Sequence, residues 1–520
     1  MARPGLSLLT PLLFNCISER LTLPSAAASF YAVLRIAFIS SLLLARASAQ
    51  SNANFNLSIP SPSLSVLVGS SQTLAMQVSV VAGYAQPVYL IPSSLPAGLS
   101  MSLPSPVVGG QSVTLTITAS PSIKAQTVPV TIYSASSGET HSATFSIVVA
   151  MPQPVKHWVA SWGASAVTPS NDSGAYYLTN VTVRQIAHLS LGAASSLRIR
   201  LSNALGKAAV SFSSIHVAEW AGNPSNPTSA ILPATDRIVT FCGSSTFTIA
   251  AGADILSDPV SLPLPAGSDL AVSFYIPKAS NIAATMHTFG NQKTYFALGD
   301  STANSVIPNA VTDTVRPYLT GVDVEASDAS AVVALGDSLT DGMLWPDSLV
   351  HRLENRLGMV NEGIAGNCVV VDCMGPSAMA RFERDVLTIS GVKYLIVLEG
   401  GSDIGNAPEL TPAKLIDAYR TMVGLAHAKG ILVFGGTLPP FGGSHAESPA
   451  HEQLRQQVNE FIRTGGAFDA VIDFDKALAN PENPASILPA FDQDHIHPND
   501  AGHQAMANAI DLALLSPAPR

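Results

Sequence analysis

Three regimes of apolar and polar spacing succeed one another along this chain, and each predicts a different kind of element. From residue 51 to 150, short runs rich in Val, Ile, Leu and Thr (64–68, 74–81, 113–119, 128–133 and 143–149) alternate with Ser, Pro and Gly turns. Runs of this length and spacing predict an immunoglobulin-like β-sandwich. Nothing in them carries chemistry, which fits a spacer or an attachment module. Pro152-Gln153-Pro154 marks a linker, and a second series of strand-like runs follows at 181–189, 196–202, 209–218, 238–241, 246–249 and 270–276. These predict a second all-β sandwich over 155–328. From residue 331 the period changes. The runs 331–335, 394–398, 431–434 and 470–474 are almost continuously apolar, as strands buried on both faces of a parallel sheet are. Helical patterns lie between them. Leu349, Val350, Leu353 and Leu357 share one face. Thr411 can cap a helix with Pro412 in its first turn, Leu415, Ile416, Tyr419, Met422 and Val423 on one side, and Gly430 as its stop. Leu454, Val458, Phe461 and Ile462 form another, ended by Gly465-Gly466. Strand alternating with helix predicts a doubly wound α/β domain over 329–516.

Composition narrows the class. A chain of 520 residues is too long for one core. Charged residues at 12% against 47% apolar, with 37 Gly and 37 Pro, fit a secreted, turn-rich β protein better than a cytosolic helical one. The net charge of −10 gives no electrostatic footprint for nucleic acid. Residues 1–49 have the form of an export segment: Arg35 precedes an apolar stretch over 36–45, and Ala47-Ser48-Ala49 supplies the small-residue cleavage pattern. The expected location is therefore secreted, periplasmic or cell-surface, with no stable membrane association after cleavage. Cys16 falls in that segment, leaving Cys242, Cys368 and Cys373. Cys368 and Cys373 are expected to bridge in an oxidising compartment. No Cys/His spacing has the form of a zinc site, so no metal or other cofactor is expected. Trp158 and Trp162, with Arg198 and Arg200 on alternate strand positions, invite a sugar-stacking reading, although packing is the commoner role of Trp in a β module. His188 and His287 show no partner in the sequence and read as structural.

The chemistry concentrates at two places. Gly336-Asp337-Ser338-Leu339 follows the apolar run 331–335, which presents Ser338 at the carboxyl edge of a parallel sheet, where open α/β folds place their sites. A serine hydroxyl needs a base to take its proton, and that base needs a group to orient it. His497 and Asp494, three residues apart near the other end of the domain, can do both. Thr340 stands where a G-x-S-x-G elbow requires Gly, which argues against the α/β-hydrolase pattern. Asp337, Asp341 and Asp403 read as turn and loop hydrogen-bonders.

Four blocks in order, Gly336-Asp337-Ser338-Leu339, 361–367 (Asn-Glu-Gly-Ile-Ala-Gly-Asn), 399–405 (Glu-Gly-Gly-Ser-Asp-Ile-Gly) and 494–498 (Asp-His-Ile-His-Pro), resemble the SGNH, or GDSL, family of esterases and acylhydrolases. The likeness runs from Ala331 to Leu515 and is nearest to the secreted, polysaccharide-associated, xylan esterase-like branch. It implies a flavodoxin-like SGNH hydrolase domain with Ser338 as nucleophile, His497 as base and Asp494 as its partner. The oxyanion would face the N–H groups of Ser338 and Gly366. The family's third donor is an Asn, and this chain has Ser402 in that slot. Three repairs present themselves: Ser402 acting through a water, the Asn367 amide turning into the hole, or Asn406 approaching from the next loop. Asn367, beside Gly366, ranks first, against a competing role as a turn residue. The family's loop between Gly342 and Trp345-Pro346 is also shortened here to Met343-Leu344.

The resemblance implies a secreted serine esterase that removes small acyl groups, acetyl in particular, from polysaccharide or glycoside substrates. Two alternatives stand beside it. One is a lipase or lysophospholipase, and the other a carbohydrate-binding protein whose hydrolase domain is impaired.

Overall fold

The computed structural model describes residues 53–151, 156–168, 178–277, 283–342, 345–407 and 409–515. The export segment, the Pro152-Gln153-Pro154 linker and Met343-Leu344 lie outside these. The chain divides into two compact units, Met1–Pro154 and Val155–Arg520. Among the described residues no helix is long and apolar enough to cross a membrane.

In the first unit, four of the five expected apolar runs lie within a strand and the fifth, 64–68, overruns its strand by one residue; four further strands complete two sheets. One is ordered Asn54–Ser58, Ser71–Val81, Gln111–Ala119, Leu99–Ser102. The other is ordered Ser63–Leu67, Glu139–Ala150, Gln126–Ser136, Pro87–Pro92, Val107–Val108. Strict alternation explains the arrangement: Leu74, Met76 and Val78 from one sheet and Val130, Ile132, Phe145 and Ile147 from the other turn inward to one shared core. The strands missed in the sequence are short or bounded by proline, so their apolar period is too brief to read.

The second unit opens with two more sheets. Lys156–Gly163, Leu319–Ser327, Ser196–Ser202 and Asp254–Leu256 form one. The other runs from Arg237–Val239 through Val210–Glu219, Asp269–Ile276, Val181–His188 and Thr294–Leu298 to Val311–Asp313. Trp162 is 5% exposed with the Arg316 guanidinium 5.2 Å from its ring centroid, and Arg198 lies 4.6 Å from that of Trp158. Arg198 also pairs with Asp323 at 2.8 Å. These side chains pack, and the buried Trp162 is not free to stack on a sugar. His188 Nδ1 donates to Asp269 Oδ1 at 2.9 Å.

The α/β region carries five parallel strands: β1 (Ala331–Gly336), β2 (Gly358–Gly363), β3 (Val392–Leu398), β4 (Leu432–Gly436) and β5 (Ala470–Ile472), in the order β2-β1-β3-β4-β5. That order reverses between β1 and β3, which opens a crevice at their carboxyl ends. Its helices are α1 (Trp345–Arg352), α2 (Ala378–Phe382), α3 (Gly401–Asn406), α4 (Pro412–His427), α5 (Pro449–Thr464), α6 (Phe474–Leu478) and α7 (Asp500–Asn508). Thr411 caps α4 by accepting the Lys414 N–H, and Leu415, Tyr419 and Met422 on its inner face are buried. Two expectations need correction. Helix α1 ends at Arg352, so Leu353 and Leu357 reach the same core from the loop after it. The apolar run at 470–474 is also not all strand: Asp473 accepts the Lys476 N–H as a cap, and Phe474 starts α6.

The β-rich region and the α/β region are one body. A single apolar cluster joins Val159, Val322 and Val324 to Val333, Val360 and Leu395. Strand Lys156–Gly163 lies along β2, the edge of the parallel sheet. The approach is so close that a Cβ on Gly358 would sit 1.9 Å from the Ala160 carbonyl oxygen. The edge N–H of Met359 is taken by Ser190 Oγ at 2.8 Å, and the Ala160 N–H bonds Ser390 O at 2.9 Å. An uncovered edge strand is an aggregation hazard. A chain beginning at residue 329 is therefore expected to be insoluble or to melt without cooperativity, while one beginning at residue 155 keeps a single cooperative transition by calorimetry.

Candidate active site

Ser338 stands where β1 stops. The turn that holds it is made by its neighbours: Asp337 O accepts the N–H groups of Thr340 (3.0 Å) and Asp341 (2.9 Å), and Asp337 Oδ1 accepts that of Leu339 (3.0 Å). The loop before α7 is built on the same device. Asp494 Oδ1 accepts the N–H groups of Ile496 (3.1 Å) and His497 (2.7 Å), and its Oδ2 lies 2.8 Å from His497 Nδ1. The other ring nitrogen, Nε2, is 2.9 Å from Ser338 Oγ. The three expected residues thus meet. The same loop contains an overlapping Asp492/His495 pair with its own 2.7 Å contact, and His495 packs beside Gly443 instead. Partial burial acts upward on the Asp494 carboxyl, but hydrogen bonds from the His497 N–H, its ring and the Ile496 N–H outweigh it and hold the group below its usual range.

The loop after β2 carries the candidate oxyanion donors. Gly366 sits at φ +73°, where an L side chain is strained, and a Cβ there would meet Met374 Cγ at 2.8 Å. Neither its N–H nor that of Ser338 donates to another group among the described residues. Asn367 does not supply the third donor. Its amide donates to the carbonyls of Met374 (2.8 Å) and Pro376 (2.9 Å), its Oδ1 accepts from Arg381 Nε (3.1 Å), and it is fully buried. The turn role prevails because the segment that follows the Cys368–Cys373 disulfide folds back over Asn367 and presents the Met374 and Pro376 carbonyls to its amide. Ser402, in the first turn of α3, lines the cavity with Oγ 3.4 Å from Asp337 Oδ2, a long contact. Asn406 also lines it, but its amide donates to Ser402 O at 2.9 Å.

A cavity of about 470 Å³ opens over Ser338. Its far wall is Leu438-Pro439-Pro440-Phe441 with Ala446 and Ile496, and its rim carries His445 and His451. Apart from Ile496, which falls in the fourth motif block, none of these was singled out from sequence. The signal was present, since residues 438–446 follow β4 at the same carboxyl edge as Ser338.

Three buried carboxyls, Asp337, Glu399 and Asp403, sit close to the cavity. Burial pushes all three up, Asp403 to about 6. Asp403 works as a loop anchor, accepting the N–H groups of Val369 (2.7 Å) and Val370 (3.1 Å). The nearest cation to Glu399 is Arg381, 3.6 Å away. Asp341 accepts the N–H groups of Gly342 (2.7 Å) and Ala365 (2.8 Å), and His287 lies 3.0 Å from it. Nothing in the spacing of residues signals that last contact, 54 residues apart. Among the described residues no group of His, Cys, Asp and Glu is placed to hold a metal ion.

Residues 334–505 match the GDSL-like lipase/acylhydrolase family. This region is a GDSL-like acylhydrolase domain. It makes the chain a carboxylic ester hydrolase, with a large β-rich region before the domain. No curated protein matches the chain. Solved structures similar to it include a GDSL-like lipase from Bacteroides thetaiotaomicron (20% identity, 36% of this chain and 88% of that one, TM-score 0.30). A carbohydrate acetylesterase from Sinorhizobium meliloti is similar at 14% identity, over 36% of this chain and all of that one, TM-score 0.29. An acetyl-xylooligosaccharide esterase mutant from Geobacillus is similar at 19% identity, over 35% of this chain and 91% of that one, TM-score 0.27.

Two measurements follow from the acylhydrolase site. Ser402→Asn should raise kcat on an aryl acetate, by up to the roughly hundredfold that one oxyanion donor is worth; unchanged turnover would mean that the native site already has its third donor. His503 on α7 is 3% exposed, and burial lowers its imidazole to about 4 from 6.5. The unfolded chain therefore binds a proton between pH 6.5 and 4 that the folded one refuses, so stability falls as pH drops through that window. Denaturant melts of His503→Gln should show that decline flattened by about 3 kcal/mol.

Proposed function

We propose that the chain is a secreted serine esterase that removes small acyl groups, acetyl in particular, from polysaccharide or glycoside substrates. The observation that carries the reading is the unbroken relay from Ser338 Oγ through the His497 ring, at 2.9 Å, to the Asp494 carboxylate, at 2.8 Å. Ser338 attacks the ester carbonyl as His497 Nε2 takes its proton, and the negative oxygen forms opposite the Ser338 and Gly366 N–H groups. His497 then gives the proton to the departing alkoxide. A water activated by the same ring releases the acid.

An acetyl group needs only a small apolar recess, and Leu438, Pro439 and Ile496 offer one. The rest of the cavity, bordered by Ser402, Asn406, His445 and His451, suits a hydroxylated alcohol half. Export is supported by the pattern of residues 1–49 and by the Cys368–Cys373 disulfide, a bond of oxidising compartments.

A second reading, a lipase-type acylhydrolase, draws on the continuous apolar wall from Leu438 to Phe441. An impaired, carbohydrate-binding hydrolase draws on Ser402 standing in the donor slot. Kinetics on aryl esters of increasing chain length separate them: a preference for acetate supports the esterase, a rise toward long chains the lipase, and inertness toward all of them the binding protein. In the esterase, Ser338→Ala should lower kcat at least 10³-fold and abolish fluorophosphonate labelling.

A further inference from the structure

His287 belongs to the β-rich region, on the short strand Met286–His287, and sequence gave it no partner. In the fold it is buried, and both ring nitrogens face oxygen acceptors. Nδ1 lies 3.0 Å from the Ser165 carbonyl. Nε2 lies 2.9 Å from the Phe289 carbonyl and 3.0 Å from Asp341 Oδ1. A carbonyl oxygen has no proton to give, so each nitrogen must carry its own. No neutral tautomer meets that requirement.

Asp341 is the other half of the arrangement. It closes the nucleophile turn by accepting the Gly342 N–H, and its second oxygen accepts the Ala365 N–H at 2.8 Å. Ala365 directly precedes Gly366. The carboxylate is 5% exposed, and a buried charge of this kind requires a partner.

We propose that His287 is a positioning residue of the oxyanion loop, acting as an imidazolium that holds the Asp341 carboxylate and through it the Ala365-Gly366 backbone. The β-rich region is then a working part of the catalytic unit, since it supplies the cation. The inference rests on the esterase reading of Ser338.

The surroundings define its pH dependence. Burial, the largest influence, acts downward on the imidazole, as does Arg316 from the paired strand Arg316–Pro317. Asp341 and the Ser165 carbonyl act upward and prevail, so the ring titrates above its ordinary value. Beyond Ser165, whose hydroxyl donates to Glu362, stand Asp385 and Arg381. With an acceptor at both nitrogens the ring carries both protons, and it loses one as the pH rises through its raised value. Asp341 is then left without its cation, and the Ala365 anchor loosens. Donors to the oxyanion act in the transition state, so kcat should suffer and KM should not.

The experiment measures kcat and KM on an aryl acetate from pH 6 to 10 for the wild type, His287→Gln, Asp341→Asn and the double variant. We expect a reversible alkaline decline in wild-type kcat. His287→Gln should lower kcat about 10- to 100-fold, with KM within about twofold, and lack the decline. The double variant should lose no more than the worse single one, because the two residues act as a unit. Wild-type kcat in a folded His287→Gln, or losses that multiply in the double variant, would overturn the proposal. If the variants fail to fold, ¹⁵N resonances of the wild-type ring decide: two ring N–H protons at pH 7 support it, and a neutral tautomer refutes it. A wild type inert toward every ester would sink the esterase reading instead, and the ring resonances would still decide the state of His287.

Discussion

Four aspartates accept backbone N–H groups on their carboxylate oxygens, and the loops that carry Ser338, Gly366 and His497 depend on them. Asp337 turns the chain after β1, Asp341 ties that turn to Ala365, Asp403 holds Val369 and Val370, and Asp494 folds the loop that carries His497. A parallel sheet brings strand ends together but leaves the loops beyond them free to differ. A charged acceptor fixes such a loop more firmly than a neutral one, because its hydrogen bonds are about twice as strong. Ser338 and His497, 159 residues apart, can keep a 2.9 Å separation because both of their loops are anchored in this way.

Gathering carboxyls at one sheet edge has an electrostatic consequence. Asp337 and Glu399 line the cavity with Asp403 close behind them, and burial raises all three. Arg381 is the counterweight. Fully buried, it bonds Glu362 O, Asn367 Oδ1, Ser165 Oγ and Asp385, and approaches Glu399. It thereby links β2, the oxyanion loop, β3 and the β-rich region through one side chain. Asn367 is part of that network, which is why its amide is committed to the loop and the slot opposite Ser338 is left to Ser402.

The β-rich region covers the open edge at β2, completes the apolar core and reaches the site through Ser165 and His287. Its tryptophans and arginines, which as a pattern suggested sugar stacking, serve that union: Arg198 bonds Asp323 and Ser390, and Arg200 reaches Thr388 O. The exposed aromatic face that a sugar would need is not present at the buried Trp162.

What was legible in the sequence was what a few consecutive residues encode. The run 331–335 with its Gly-Asp-Ser turn, the Thr411-Pro412 cap of α4 and the three-residue spacing of Asp494 and His497 are local patterns, and local hydrogen bonds make them. Spacing alone did not show that the run at 470–474 breaks at Asp473, because an apolar strand and the first turn of a buried helix look alike. Nor did it choose between Asn367 as donor and Asn367 as loop anchor, or reveal His287 beside Asp341. Those outcomes depend on which groups arrive from distant segments to take up a buried hydrogen bond, and a buried polar atom takes the partner that packing brings to it, whatever its distance along the chain.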